Sequence, residues 1–265
     1  ERGDAGRQLP YLDGVTSLAC PGEDQIELFT AGETDVAMYG ALGGDLPVAP
    51  PAGERYQLFT TPVPWSTHVL FVNQSLATEE NPAGISGPAA TWLRDLRFRT
   101  ALAHLLDRPV LAQVAPDGIG TPMWLGEPPY SPYLVERPDD LPSYDPAASR
   151  ALLDELGMVD RDGDGVREDA LGNRVELTIR TNEGQAIRLA AAHSLAGEFE
   201  KVGVHLEVVA EPFGSVVSRL LSSGDWELVL LGFGAVPGVY PTSLDESNFG
   251  SFIRLNDARP APWRD

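Results

Sequence analysis

Apolar residues recur along this chain with two different periods, most plainly in its second half. Over 175–181, Val175, Leu177 and Ile179 alternate with Glu176, Thr178 and Arg180, the two-residue period of a half-covered strand. Over 184–202, Ile187, Ala190, Ala191, Leu195, Phe199 and Val202 fall on one helical stripe. A strand follows at 204–210. Phe213, Val216, Val217, Leu220 and Leu221 then repeat the helical spacing up to Gly224. Within 226–232 the run from Leu228 is continuously apolar, as a strand covered on both faces requires. Strand, helix, strand, helix, strand in that order predicts an α/β sheet with right-handed crossovers. Just upstream, Asp145 is placed to cap a helix that opens on Pro146 and stops at Gly157.

The first half is less regular. Residues 14–19 and 34–40 read as strands around a short helix that Gly32 ends, a small βαβ piece. Residues 40–55 are dense in Gly and Pro and make the best linker, which sets provisional domains at 1–54 and 55–265. A strand at 67–73 is followed by a polar loop over 78–91. Leu93, Leu96, Ala101, Leu102 and Leu105 then carry a helix that Pro109 interrupts. Residues 116–144 hold too many prolines for a helix and read as an extended loop.

Charge narrows the choice of partner. Asp and Glu number 39 against 19 Lys and Arg, for a formal charge of -20, so nucleic acid and anionic lipid are excluded as partners. No apolar run reaches the ~18 residues of a membrane span, so the chain is not itself membrane-spanning. The single cysteine, Cys20, rules out an internal disulfide or a Cys-rich zinc site, and no His–Asn/Asp motif accompanies it as a nucleophile. The chain begins at Glu1 without methionine or signal sequence, so a trimmed or processed piece is expected.

Catalytic motifs are missing from the sequence. There is no phosphate loop, no His-Glu-x-x-His and no nucleophile elbow, and the glycines of 232–238 have the wrong spacing for a dinucleotide loop. His68, His104, His193 and His205 are widely separated, and no two carboxylates are paired for acid–base work. The stretch "VDRDGDGVREDALGN" (159–173) is the one metal-like pattern. Counted from Asp160, Asp162, Asp164, the Val166 carbonyl and Glu168 occupy alternate positions of a calcium loop, with Gly165 at its glycine. Leu171 stands where that loop needs a bidentate glutamate, and a strand follows where it needs a helix. The better reading is a hydrated turn, with calcium as the only candidate cofactor.

The order of these segments also has a familial likeness. "DPAASRALLDELGMVDRDGDGVRED" with "GNRVELTIRTNEGQAIRLAAAHSLAGEFEKVGVHLEVV" resembles the extracellular solute-binding proteins of oligopeptide, dipeptide and nickel ABC importers (family 5). "LFVNQ", "LRDLRFRTALAHLLDRPVLAQV" and "GIGTPMWLGEPP" resemble the family's preceding landmarks, and "LPYLDGVT" and "AGETDVA" the segment before its second lobe. The likeness implies a type II periplasmic-binding-protein lobe, a mixed sheet flanked by helices, with 1–54 a remnant of the first lobe and 55–265 most of the second.

It also implies a monomeric receptor, periplasmic or extracellular and lipid-anchored in some full-length members. Such a receptor closes on a peptide or other small solute and delivers it to a membrane permease. Trp65, Thr67, His68 and Trp124 would then approach the ligand, with Phe233, Gly234, Ala235 and Val236 after the last strand. Peptide-binding relatives carry an aspartate in that last loop to hold the peptide amine, and it is absent here. Two other readings stay open at this stage. One is the sensor domain of a transcription regulator that borrowed the fold, the other a hydrolase.

Overall fold

The computed structural model describes residues 12–20, 24–37, 66–79, 83–114, 120–124 and 141–234. The chain divides into two compact units, Glu1–Leu46 and Pro47–Asp265.

Among the described residues of the first unit one helix forms, α1 (Asp24–Thr30), with Asp24 and Glu27 in its first turn, where the helix dipole favours acids. Gly32 ends it with φ +79°. The strand expected at 14–19 does not form, and 34–37 is likewise irregular. Val15, Leu18 and Val36 are exposed, so no apolar face holds these segments in register. Residues 38–40 of the second expected strand, and the expected linker 40–55, lie outside the described residues.

In the second unit a four-stranded sheet carries everything else. Its strands are β1 (Ser66–Val72), β2 (Glu176–Asn182), β3 (His205–Glu211) and β4 (Leu228–Gly234), in the order β1-β4-β2-β3. β2 pairs in parallel with β3 and β4, while β1 runs antiparallel to β4, so the sheet is mixed as expected. The helices are α2 (Pro88–Arg94), α3 (Leu96–Ala103), α4 (Arg108–Gln113), α5 (Pro146–Glu155), α6 (Ala186–Glu200) and α7 (Phe213–Ser218). A π-helical turn, Arg219–Ser223, extends α7.

The continuous apolar run of β4 serves two cores. Leu228 and Leu230 join Leu177 and Ile179 of β2, Ala192, Leu195 and Phe199 of α6, Leu153 of α5, and Leu93 and Phe98 of α2 and α3. Val229 and Leu231 point the other way, onto Val216, Leu220 and Trp226. Alternate side chains of a strand leave by opposite faces, and here both faces are dry.

The helix expected over Leu93–Leu105, with an interruption at Pro109, is three short ones. It begins earlier, at Pro88, inside the segment expected as loop. It breaks at Asp95, whose extended backbone ends α2 while its carboxylate caps α3 by accepting from the Arg97 amide at 2.8 Å. Asp107 caps α4 in the same way, with Pro109 in its first turn. The Asp145 cap is present too: it accepts from the Ala147 and Ala148 amides, both at 3.0 Å, and Gly157 closes the far end with φ +71°.

Candidate functional site

The carboxyl ends of β2 and β4 lie at one edge of the sheet, and the antiparallel β1 begins there. Register sets Ser66 opposite Gly234, Thr67 opposite Phe233 and His68 opposite Gly232. α6 starts directly above, reached from Asn182 through Gly184, whose φ of +75° turns the chain back over the sheet. In an open α/β sheet this is the rim where ligands bind, because loops and helix starts surround it without blocking it.

Three polar side chains from three elements meet at this rim. Asn182, buried at the end of β2, accepts through Oδ1 from the Arg188 Nη1 of α6, and its amide donates to the Glu183 carbonyl at 3.2 Å. Arg188 is half-buried, and its Nε is buried with no hydrogen-bond partner among the described residues. Desolvation pulls the Arg188 pKa down, with no carboxylate acting against it. His68 of β1 is solvent-accessible, yet surrounding protein desolvates its ring. That, followed by the positive charge of Arg188, holds the imidazole below its usual range. At the rim, a half-buried guanidinium therefore lies near a partly desolvated imidazole.

Of the residues expected at the site, Thr67, His68, Phe233 and Gly234 are brought together by strand pairing. Trp65, Ala235 and Val236 lie outside the described residues. Trp124 is partly buried in an irregular segment, 120–124, and belongs to none of the elements that form this rim. Asn182 and Arg188 are missing from the sequence reading. One signal was available: an arginine in the first turn of a helix sits at the positive end of its dipole, an arrangement disfavoured by about 0.3–1 kcal/mol.

The aspartate loop lies away from this rim, between α5 and β2. Asp160, Asp162, Asp164 and Glu168 each offer an oxygen, all within 4.8 Å of one another. Those carboxylates already close the turn. Asp160 accepts from the Gly163 and Gly165 amides at 2.7 and 3.0 Å, Asp162 from Asp164 at 3.1 Å, and Asp164 from Val166 at 2.8 Å. Arg174 pairs with the second Asp164 oxygen, and that hydrogen bond holds the Asp164 carboxyl below the usual carboxylate range. Glu168 is buried and accepts from the Arg161 amide at 2.8 Å, while the Arg161 guanidinium reaches the carbonyls of Gly157, Glu168 and Asp169. Backbone amides and two arginines thus supply the positive partners this acidic turn needs.

Residues 4–252 match the family described as Bacterial extracellular solute-binding proteins, family 5 Middle. A probable ABC transporter-binding protein of Deinococcus radiodurans is 26% identical over 246 residues, covering 90% of this chain and 41% of that protein. The oligopeptide-binding protein AppA of Bacillus subtilis is 25% identical over 245 residues, covering 89% of this chain and 40% of that protein. Among solved structures, NikA from Brucella suis in complex with Fe(III)-EDTA superimposes with a TM-score of 0.56 at 22% identity, covering 88% of this chain and 42% of that one. This places the mixed sheet and its helices in the type II periplasmic-binding-protein fold. The chain spans about two-fifths of the length of these curated relatives. With the family matched from residue 4 to residue 252, the chain belongs to the bacterial extracellular solute-binding proteins of family 5.

Proposed function

We propose that this chain supplies one lobe of a solute receptor that works outside the cytoplasm and hands a small solute to the permease of an ABC importer. Residues 1–54 belong to the first lobe and 55–265 to the second, the solute lying against the rim of β1, β2 and β4. The observation that carries the reading is the rim itself. His68, Asn182, Arg188 and the end of β4 converge where an α/β sheet receives ligands. Among the described residues no helix is long and apolar enough to cross a membrane, in keeping with a receptor that meets its permease by docking. The family name and the AppA relative favour a peptide or a solute of similar size. Differential affinity for a closed state would drive the two lobes together, and no bond in the solute need break.

Saturation-transfer NMR on residues 1–265, with mixtures of short peptides, oligosaccharides and metal chelates, tests this. Half a cleft binds weakly, so signal is expected for one solute class at roughly millimolar Kd, with no hydrolysis product accumulating. Silence across all three classes, or steady turnover of any of them, would overturn the reading.

The acidic loop enters this proposal as a connecting turn and not as a resident cation site. EDTA is expected to leave the melting temperature unchanged, because Arg161, Arg174 and four backbone amides already balance its charge. A drop on adding EDTA that calcium restores would instead assign the loop to a metal.

A further inference from the structure

We infer that Asp13 is a site of spontaneous isoaspartate formation in the folded protein, through attack by the Gly14 amide. The acidic turn, by contrast, holds its own pairs Asp162–Gly163 and Asp164–Gly165 against the same reaction. Neither half of this depends on the solute-receptor reading.

Aspartate followed by glycine is labile because glycine has no side chain to hinder ring closure. The glycine nitrogen attacks the aspartate Cγ and a C–N bond forms. The carboxyl hydroxyl leaves with the amide proton as water, giving a five-membered succinimide. Water then adds back at one of the two ring carbonyls. Opening at the α-carbonyl leaves the main chain running through the side chain, an isoaspartate of unchanged mass. The reaction needs an amide free to approach Cγ and a carboxyl protonated so that its hydroxyl can leave. The sequence holds four Asp-Gly pairs and no Asn-Gly, and three of the four lie within the described residues.

Asp13–Gly14 meets both needs. The two residues are exposed in an irregular segment, and Leu12 and Val15 on either side are exposed as well. Among the described residues the Gly14 amide has no hydrogen-bond partner. A methyl built on Gly14 would meet nothing within 4 Å, so the ring has room to close.

The acidic turn denies both. The Gly163 amide donates to Asp160 Oδ1 at 2.7 Å and the Gly165 amide to Asp160 Oδ2 at 3.0 Å, so one carboxylate holds both nucleophiles. The carboxyls they would attack are held too. Asp162 Oδ1 accepts from the Asp164 amide at 3.1 Å, and Asp164 Oδ1 from the Val166 amide at 2.8 Å. Arg174 hydrogen-bonds the second Asp164 oxygen and keeps that carboxyl ionised, hence without a hydroxyl to lose. At the ends of the turn Val159 and Glu168 exchange two N–H···O bonds of 3.0 Å. Ring closure here therefore waits on local opening of the turn.

The test incubates residues 1–265 for several weeks at neutral pH and physiological temperature, one sample folded and one in guanidinium chloride. Digestion and electron-transfer mass spectrometry then read isoaspartate site by site. Asp13 is expected to convert at rates within about threefold in the two samples, and Asp162 and Asp164 at least about tenfold more slowly when folded. Protection of Asp13 as strong as that of the turn, or a turn that converts equally fast in both samples, would overturn the inference. So would a folded sample with no isoaspartate at Asp13. Asp160→Ala, which frees both glycine amides, is expected to speed conversion at Asp162 and Asp164 in the folded chain and to leave Asp13 unchanged. A variant whose melting curve shows it folded, yet whose turn converts as slowly as the parent's, would refute the assigned restraint. Should the variant not fold, the two parent samples still decide.

Discussion

Gly224→Ala is expected to lower the stability of the second unit by about 3 kcal/mol. Gly224 follows the π-helical turn with φ +64°, a left-handed conformation that costs an L-residue about 1–2 kcal/mol. The larger problem is space. A Cβ at Gly224 would sit 1.3 Å from the Ala83 carbonyl oxygen and 2.4 Å from its carbon, so the backbone at 83 must move. That backbone is not free, because Ile85 pairs with Ser75 and Ala77 at 2.8 Å each. Asn73, buried just after β1, adds a second tie, its amide donating to the Gly224 and Trp226 carbonyls at 3.0 and 2.8 Å. Moving Gly224 therefore strips two buried carbonyls of their donor. Gly157→Ala is the control: it closes α5 with φ +71° and the hydrogen bonds of a left-handed helix end, but nothing lies within 4 Å of the added methyl, so only the conformational cost of about 1 kcal/mol applies. Urea unfolding of both variants reads the difference as a shift in midpoint at constant slope. Equal shifts would mean that the Ala83 contact is yielding.

The same region explains which features could be read from the sequence. Signals carried by one residue and its immediate neighbours survived folding: the Asp145 cap, the Gly157 stop, the alternation of 175–181, and the uninterrupted apolar run that became β4. Features decided by contacts distant in sequence did not show. Asn73 is 151 residues from Gly224, and nothing local marks it as a buried amide serving two carbonyls. The break at Asp95 was hidden because Leu93, Leu96, Ala101 and Leu102 keep helical spacing across it, although a capping residue reverses the backbone between the first two. Residues 14–19 read as strand-like, yet a strand needs a partner, and among the described residues no pairing holds them. The π-helical turn had no local signal either; Leu220 and Leu221 satisfy a 3.6-residue period as well as a wider one.

The candidate site divides in the same way. His68 and Thr67 were placed by a strand pattern, and the pairing of β1 with β4 puts them opposite Gly232 and Phe233. Arg188 was passed over because the apolar stripe of 184–202 attracts attention to the residues around it. Its isolation becomes visible only in three dimensions, where the neighbouring group is an amide and not an acid. A charge in a hydrophobic pattern is ordinary when it faces water. It becomes informative once it is known to be half-buried and unpaired.

Phe199→Ala should be the most damaging of the core truncations, at about 3–5 kcal/mol. The ring is fully buried, and it lies near the carboxyl end of α6 among side chains from β2, β3 and the helices beneath them. Its carbonyl also accepts from the Val202 and Val204 amides at 3.1 Å each, in the turn that leads into β3. Loss of the ring opens a cavity where the helix, its C-terminal turn and the parallel strands meet, and close-packed neighbours relax only partly into it. Yet Phe199 and Arg188 stand eleven residues apart on one helix, about 16 Å at 1.5 Å per residue. Packing at one end of α6 and the Asn182–Arg188 contact at the other are therefore separable. In the folded fraction of Phe199→Ala, seen by NMR below its unfolding midpoint, the Arg188 side-chain resonances should keep the positions they have in the parent chain. A variant that is destabilised by the expected amount and also moves those resonances would show that the rim depends on the far end of α6, and that the helix does not hold Arg188 as a rigid rod.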